Sequence, residues 1–122
     1  MNDMNLTNQQ IAEAFSKHEF ERTYPYLSDT IQWNLVGNEE IAGKEGVMRT
    51  CTESAAYFDT VTTTFIQFVV LTGDDFVVID SLADYRDAQP QTTRIASCDI
   101  YRFTDSKLAY ITSYTTDLSE NA

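Results

Sequence analysis

Cys98-Asp99-Ile100-Tyr101-Arg102-Phe103-Thr104-Asp105-Ser106-Lys107-Leu108 sets one carboxylate into an otherwise apolar and aromatic strand, just before a tight turn. Successive side chains of a strand point to opposite faces, so Asp99, Tyr101 and Phe103 share one face and Ile100 and Arg102 the other. If the first face is interior, Asp99 is a carboxylate in low dielectric with a disturbed pKa, which marks it as a candidate catalytic group. The alternative is a solvated edge-strand aspartate, or an acceptor for a neighbouring backbone or tyrosine donor. Tyr101, beside it, either donates to a ligand or fills space.

The segments before this strand read as helices. Thr7 and Gln10 form a capping box with Leu6 stapled onto Ile11, and the helix they open runs from about Asn8 to Lys17 with Ile11, Ala14 and Phe15 on one apolar stripe. His18 sits at its C-terminal end, where the helix dipole favours the imidazolium, and reads as a cap. A short second helix, Glu19 to about Tyr24, stops at Pro25. Ile31 to Gly37 is a strand in which Trp33 and Leu35 alternate with Asn34 and Val36. From Lys44 the spacing of Val47, Cys51, Ala55 and Phe58 is helical again, and this is the longest helix.

After Asp59 the chain is rich in Val, Ile, Thr, Phe and Tyr, and four strands follow: Val61–Thr72, Phe76–Tyr85, Thr93–Phe103 and Leu108–Thr116. The connections are short enough for antiparallel hairpins. Helices followed by a run of hairpins predict a single α+β domain over residues 1–122, a curved antiparallel sheet over segregated helices. The tail from Leu118 to Ala122 reads as frayed.

Composition narrows the function. Eight Lys and Arg stand against 19 Asp and Glu, a net charge of −11, so nucleic acid and anionic membranes are poor partners. No apolar run approaches a membrane span, and Met1 to Gln10 is too polar for a secretory leader, so a cytoplasmic protein is expected. Two cysteines in such a chain read as reduced and buried. The single histidine leaves no His-rich metal site and no catalytic triad, the four scattered glycines form no phosphate loop, and no cofactor or metal is expected.

The order of elements, Val36-Gly37 followed by Gly43-Lys44-Glu45 at the mouth of the long helix, and Asp99-Ile100-Tyr101-Arg102-Phe103 ahead of a turn and Lys107-Leu108, together resemble the SnoaL-like, nuclear-transport-factor-like superfamily, which includes the ketosteroid isomerases. The resemblance spans Gln9 to Asp117. It implies a cone-shaped fold: a bent sheet wrapped around the helices, one pocket on its concave face, and a convex face that often dimerises, here with Ile100, Tyr110 and Tyr114 as contacts. It also implies that Asp99 matches the aspartic acid those isomerases keep protonated to donate to a developing enolate oxygen, a case for which the behaviour is well described. Asn34 falls where they have their base and Ile11 near their oxyanion-hole tyrosine. An amide is no base at neutral pH and an isoleucine has no proton to give, so steroid isomerisation is not expected.

The sequence therefore supports a pocket for a small, mostly apolar molecule, anchored by Asp99 and Asn34 and lined by Trp33, Cys51, Phe58, Val78, Tyr101 and Phe103. Trp33 is either a stacking surface or core. Asp80, on the face of Val78 and Leu82, is either a second pocket acid or the sign of a wet face. Two other readings stay open: a cofactor-independent isomerase, cyclase or dehydratase in which Asp99 or Asp80 shuttles a proton α to a carbonyl, and a protein-binding or dimerisation module with a vestigial pocket.

Overall fold

The computed structural model describes residues 5–118; of the tail expected to fray from Leu118 to Ala122, the Leu118 amide donates to Arg94 O at 2.8 Å and residues 119–122 lie outside that range. The first helix, α1 (Asn8–Ser16), starts at the expected capping box: Thr7 accepts from the Gln10 amide at 3.1 Å while the Gln10 side chain accepts from the Thr7 amide at 2.9 Å. Its apolar stripe, Ile11, Ala12, Ala14 and Phe15, is buried. The short second helix is a 3₁₀ segment, Phe20–Tyr26, that runs through Pro25 and does not stop at it. The long helix α2 (Lys44–Phe58) enters from Gly43 at φ 90°, a left-handed backbone that glycine adopts freely, and buries Val47 and Cys51.

Six strands form one sheet: β1 (Leu27–Leu35), β2 (Glu39–Ala42), β3 (Thr62–Thr72), β4 (Phe76–Arg86), β5 (Thr92–Thr104) and β6 (Lys107–Asp117), in the spatial order β2-β1-β6-β5-β4-β3. Every pairing is antiparallel except β1 with β6, which is parallel. The sheet is therefore mixed, because β1 reaches it after two helical segments and not through a hairpin. Register breaks between Phe65 and Gln67 in β3 and between Arg102 and Phe103 in β5 help a twisted sheet to bend around the helices. The β5–β6 hairpin is closed by Asp105 and Ser106, both at positive φ (53° and 66°), between the paired Thr104 and Lys107.

Two positive φ angles in a two-residue hairpin favour Gly at the second position, and a side chain in that region costs on the order of 1–2 kcal/mol. Ser106→Gly is therefore expected to stabilise the protein by about 0.5–1 kcal/mol, read as a raised urea midpoint at unchanged slope. A lowered midpoint would contradict this description of the turn.

The core lies between α1, α2 and the concave face of the sheet, and includes Ile11, Phe15, Phe20, Leu27, Ile31, Trp33, Val47, Cys51, Val77, Ile79, Tyr101, Phe103, Leu108 and Ile111. On β5, Tyr101 and Phe103 point inward and Arg102 outward, as the alternation predicted. On β4 the inward residues are Val77, Ile79, Ser81 and Ala83. Asp80 is therefore exposed on the convex face, between Val69 of β3 and Cys98 of β5, and does not border the concave side. Val78 shares that outer parity. No helix among the described residues is long and apolar enough to cross a membrane.

Candidate functional site

Between the helices and the concave face lies a cavity of about 360 Å³, within the size range of small-molecule sites. Its wall is aromatic: Phe15 and Phe20 from the first helical region, Trp33 from β1, Tyr57 and Phe58 from α2, Phe65 from β3, Tyr85 from β4 and Tyr101 from β5. Hydroxyls are interspersed, among them Ser16, Ser54, Ser81, Ser97 and Ser113. Two ionisable groups of opposite type stand in the wall, Asp99 and His18, and burial favours the uncharged form of each.

Asp99 sits in the middle of the sheet, opposite Ile79 of β4 and Ser113 of β6. The Trp33 indole donates to Ser113 Oγ at 2.9 Å, and Ser113 stands opposite Asp99 in the β5–β6 register, where its hydroxyl favours the charged carboxylate. Burial raises the Asp99 pKa and the Ser113 hydroxyl opposes it; burial dominates, and the pKa is pushed up to about 6. The carboxyl is not sealed off, since its residue keeps intermediate surface exposure through the cavity it borders. At pH 7 roughly a tenth of molecules would carry the proton, so Asp99 is poised to exchange one and is not held permanently neutral.

Tyr101 is fully buried, with its hydroxyl 2.6 Å from Ser16 Oγ of α1. That bond ties the helix to the sheet beside Asp99, so the hydroxyl is a strut as well as part of the wall. Burial, followed by the charge of Asp99, holds its pKa well above the ordinary tyrosine value. Tyr85 is likewise pushed up to about 12, mainly by burial, with smaller contributions from Tyr57 and Asp99.

His18 is a correction to the sequence reading. It does cap α1, but through its backbone: its amide donates to Phe15 O at 3.1 Å and the next amide, of Glu19, to Ala14 O at 2.8 Å, a Schellman motif with His18 at φ 68°. Its ring turns into the cavity wall and stacks on Phe58, centroids 3.6 Å apart and planes 8° from parallel. Burial lowers its pKa to about 4, so the imidazole is neutral and not the cation expected at a helix end.

Of the residues expected to line the pocket, Asp99, Trp33, Phe58 and Tyr101 do so. Asn34 does not: it lies between Trp33 and Leu35, which face the cavity, and so points to the other side of β1. Cys51 and Phe103 are packed in the core beneath the cavity wall, at 0% and 5% exposure, and burial pushes the Cys51 thiol up to about 12. Val78 and Asp80 are on the outer face. Cys51 and Cys98 are both free thiols. Among the described residues no cluster of His, Cys, Asp and Glu is arranged to hold a metal ion. Sequence reasoning missed His18, Ser113, Phe65 and Tyr85. No local signal marks Tyr85, because the run Phe76-Val77-Val78-Ile79 is apolar on both parities and leaves the inward face of β4 unreadable from alternation.

Residues 8–111 match the model of the SnoaL-like domain. No curated protein sequence matches the chain. Among solved structures, an NTF2-like protein of unknown function from Cytophaga hutchinsonii is 31% identical, with 93% of this chain and 99% of that one covered and a TM-score of 0.80. An NTF2-like protein from Anabaena variabilis, 12% identical, superposes over 95% of this chain and 94% of its own with a TM-score of 0.69. An LEH-like epoxide hydrolase from M. tuberculosis, 17% identical, covers 89% of this chain and 82% of its own with a TM-score of 0.67. At those two lower identities the likeness is one of fold.

Proposed function

Because the chain belongs to the SnoaL-like domain family, whose fold encloses one cavity, we propose that it binds a small, flat, mostly apolar carbonyl compound there and moves a proton on it with Asp99. The observation that carries this reading is the placement of the Asp99 carboxyl in the wall of an aromatic cavity, opposite Ser113, where burial pushes its pKa up to about 6. A ligand-binding protein without chemistry has no need of a desolvated acid, and desolvation of a carboxylate is costly. In the reaction the Asp99 carboxylate takes a proton from the carbon α to the carbonyl. The C–H electron pair becomes the C=C bond of an enolate, and the carbonyl π pair moves to oxygen. The proton on Asp99 exchanges with solvent through the cavity, and return of a solvent-derived proton to the same carbon gives α-exchange; delivery to the γ-carbon of a β,γ-unsaturated ketone gives isomerisation, and an enolate that instead attacks a second carbonyl or expels a β-hydroxyl gives cyclisation or dehydration. Steroid isomerisation stays outside the proposal, and Asn34→Asp would not supply the missing base, because that position faces away from the cavity.

Trp33, the sole tryptophan, lines the cavity and reports occupancy by its fluorescence. With 2-tetralone, a flat bicyclic ketone, in D₂O, the expected result is a saturable change in Trp33 emission and deuterium uptake α to the carbonyl faster than in buffer. Saturable binding with exchange at the buffer rate would contradict the chemistry and leave a binding protein.

We further propose a cytoplasmic homodimer. The free thiols and the net charge of −11 support a reducing compartment without nucleic-acid or membrane partners. Val69, Leu71, Phe76 and Tyr114 are apolar or aromatic residues exposed on the convex side, and Val78 and Ile100 continue the patch across β4 and β5. Light scattering at tens of micromolar should give twice the chain mass, with Leu71→Glu returning it to a monomer. A monomer mass for the unaltered chain would overturn this.

A further inference from the structure

His18 occupies a position whose backbone asks for glycine. A left-handed residue closing a Schellman motif is usually Gly, and a side chain there costs free energy. His18 adopts φ 68° all the same, and this conformation directs its ring into the cavity against Phe58 at 3.6 Å. The ring is further enclosed by Phe20, Phe65 and Tyr85, with centroids 5.9 to 6.0 Å away. It is thus fixed by stacking and by backbone. No side-chain hydrogen bond engages its nitrogens among the described residues, and neither nitrogen is a sealed orphan, so they open onto space that a ligand or water can fill. His18 borders both the main cavity and a second hollow on the Glu19–Tyr24 side.

We propose that His18 is a second catalytic residue, donating one ring N–H to the carbonyl oxygen of the substrate from the helix side of the cavity while Asp99 works from the sheet side. The inference rests on the acid–base reading of Asp99 and deepens it. It commits the substrate to an enolisable ketone or an enol with its oxygen near Phe58 and its α-carbon near Asp99. Tyr85 marks the path between the two groups, since its ring is 6.0 Å from that of His18 and its hydroxyl feels the charge of Asp99. A neutral imidazole suits the role, because it can polarise a carbonyl through its N–H without forming an ion pair with the carboxylate. When the α-proton moves to Asp99, negative charge develops on the oxygen facing His18, and the N–H bond to it strengthens in the transition state.

The single histidine gives the labelled full chain one imidazole spectrum. With 2-naphthol, a flat enol analogue, at pH 7, one His18 ¹⁵N–H resonance should shift saturably with the same dissociation constant that Trp33 fluorescence reports. His18→Phe keeps a ring on Phe58 and removes the nitrogens; it should weaken naphthol about tenfold and slow α-deuteration of 2-tetralone by about 10²-fold, with KM changed much less. Should the left-handed backbone reject Phe, His18→Asn, which tolerates that conformation but falls short of the stack, should show the same loss of rate. A saturated Trp33 signal with an unmoved imidazole resonance would overturn the role of His18 while leaving the pocket reading intact. Silence of both probes would overturn the two together.

Discussion

Asp99→Asn is expected to abolish proton transfer and, at the same time, to make the protein more stable at neutral pH. Loss of a positioned base costs on the order of 10²–10⁴ in rate, so α-deuteration should fall to the buffer level while naphthol binding, carried largely by the aromatic wall, persists. The stability change follows from linkage. The folded pKa of Asp99 is raised from 3.8 to about 6, so between those values the folded state keeps a proton that the unfolded chain has lost. Stability from this group is present at low pH, declines as pH rises through that window, and is gone above about 6. The amide removes the penalty, worth about 2–3 kcal/mol above the window and nothing below it. Thermal midpoints of the pair should therefore diverge by several degrees at pH 7.5 and converge near pH 3.5. His18 has the opposite sign: its pKa is lowered from 6.5 to about 4, so its contribution falls as pH drops through that interval. In the unaltered protein the two slopes oppose each other between pH 4 and 6, and Asp99→Asn unmasks the histidine's rising limb. Equal midpoints at pH 7.5, or a destabilised variant there, would contradict the burial of the carboxyl.

Phe15→Ala should cost about 3–5 kcal/mol, a large part of the 5–15 kcal/mol typical of a domain's whole stability. Phe15 is 4% exposed on the buried face of α1 and meets Phe20, Trp33 and Tyr101 edge-on, with centroids 5.1, 5.1 and 5.8 Å away. It joins the helix, the 3₁₀ segment and two strands at one point. Truncation removes the ring's burial and its aromatic pairings, and opens the cavity at the end where Trp33 and Tyr101 stand. A urea midpoint falling steeply at constant slope is the expected result. A loss below about 1 kcal/mol would mean that α1 is not docked as described.

The sequence made some of this legible and hid the rest for physical reasons. The face of Asp99 could be read because β5 alternates near its end, where Tyr101 and Phe103 are flanked by Arg102. The start of α1 could be read because Thr7 and Gln10 satisfy each other's backbone amides locally. On β4 the run Phe76-Val77-Val78-Ile79 is apolar on both parities, since its convex side also carries hydrophobic residues, and alternation gave no reason to prefer Ser81 over Asp80. β2 has no local signature, because Glu39 and Glu40 carry no strand signal and the segment is defined by pairing with β1. The parallel contact between β1 and β6 is a long-range event with no local trace. His18 was placed correctly on the helix end and assigned the wrong chemistry: the dipole argument favours a cation, but a ring stacked on Phe58 and enclosed by Phe20, Phe65 and Tyr85 loses more by desolvation than the helix end returns.

The ionisation of Asp99 tests the central claim most directly. A ¹³C-carboxyl NMR titration, with the Asp99 resonance assigned by its disappearance in Asp99→Asn, is predicted to show a midpoint near 6, and a midpoint near the ordinary value of about 4 would contradict a carboxyl held in the cavity for proton transfer.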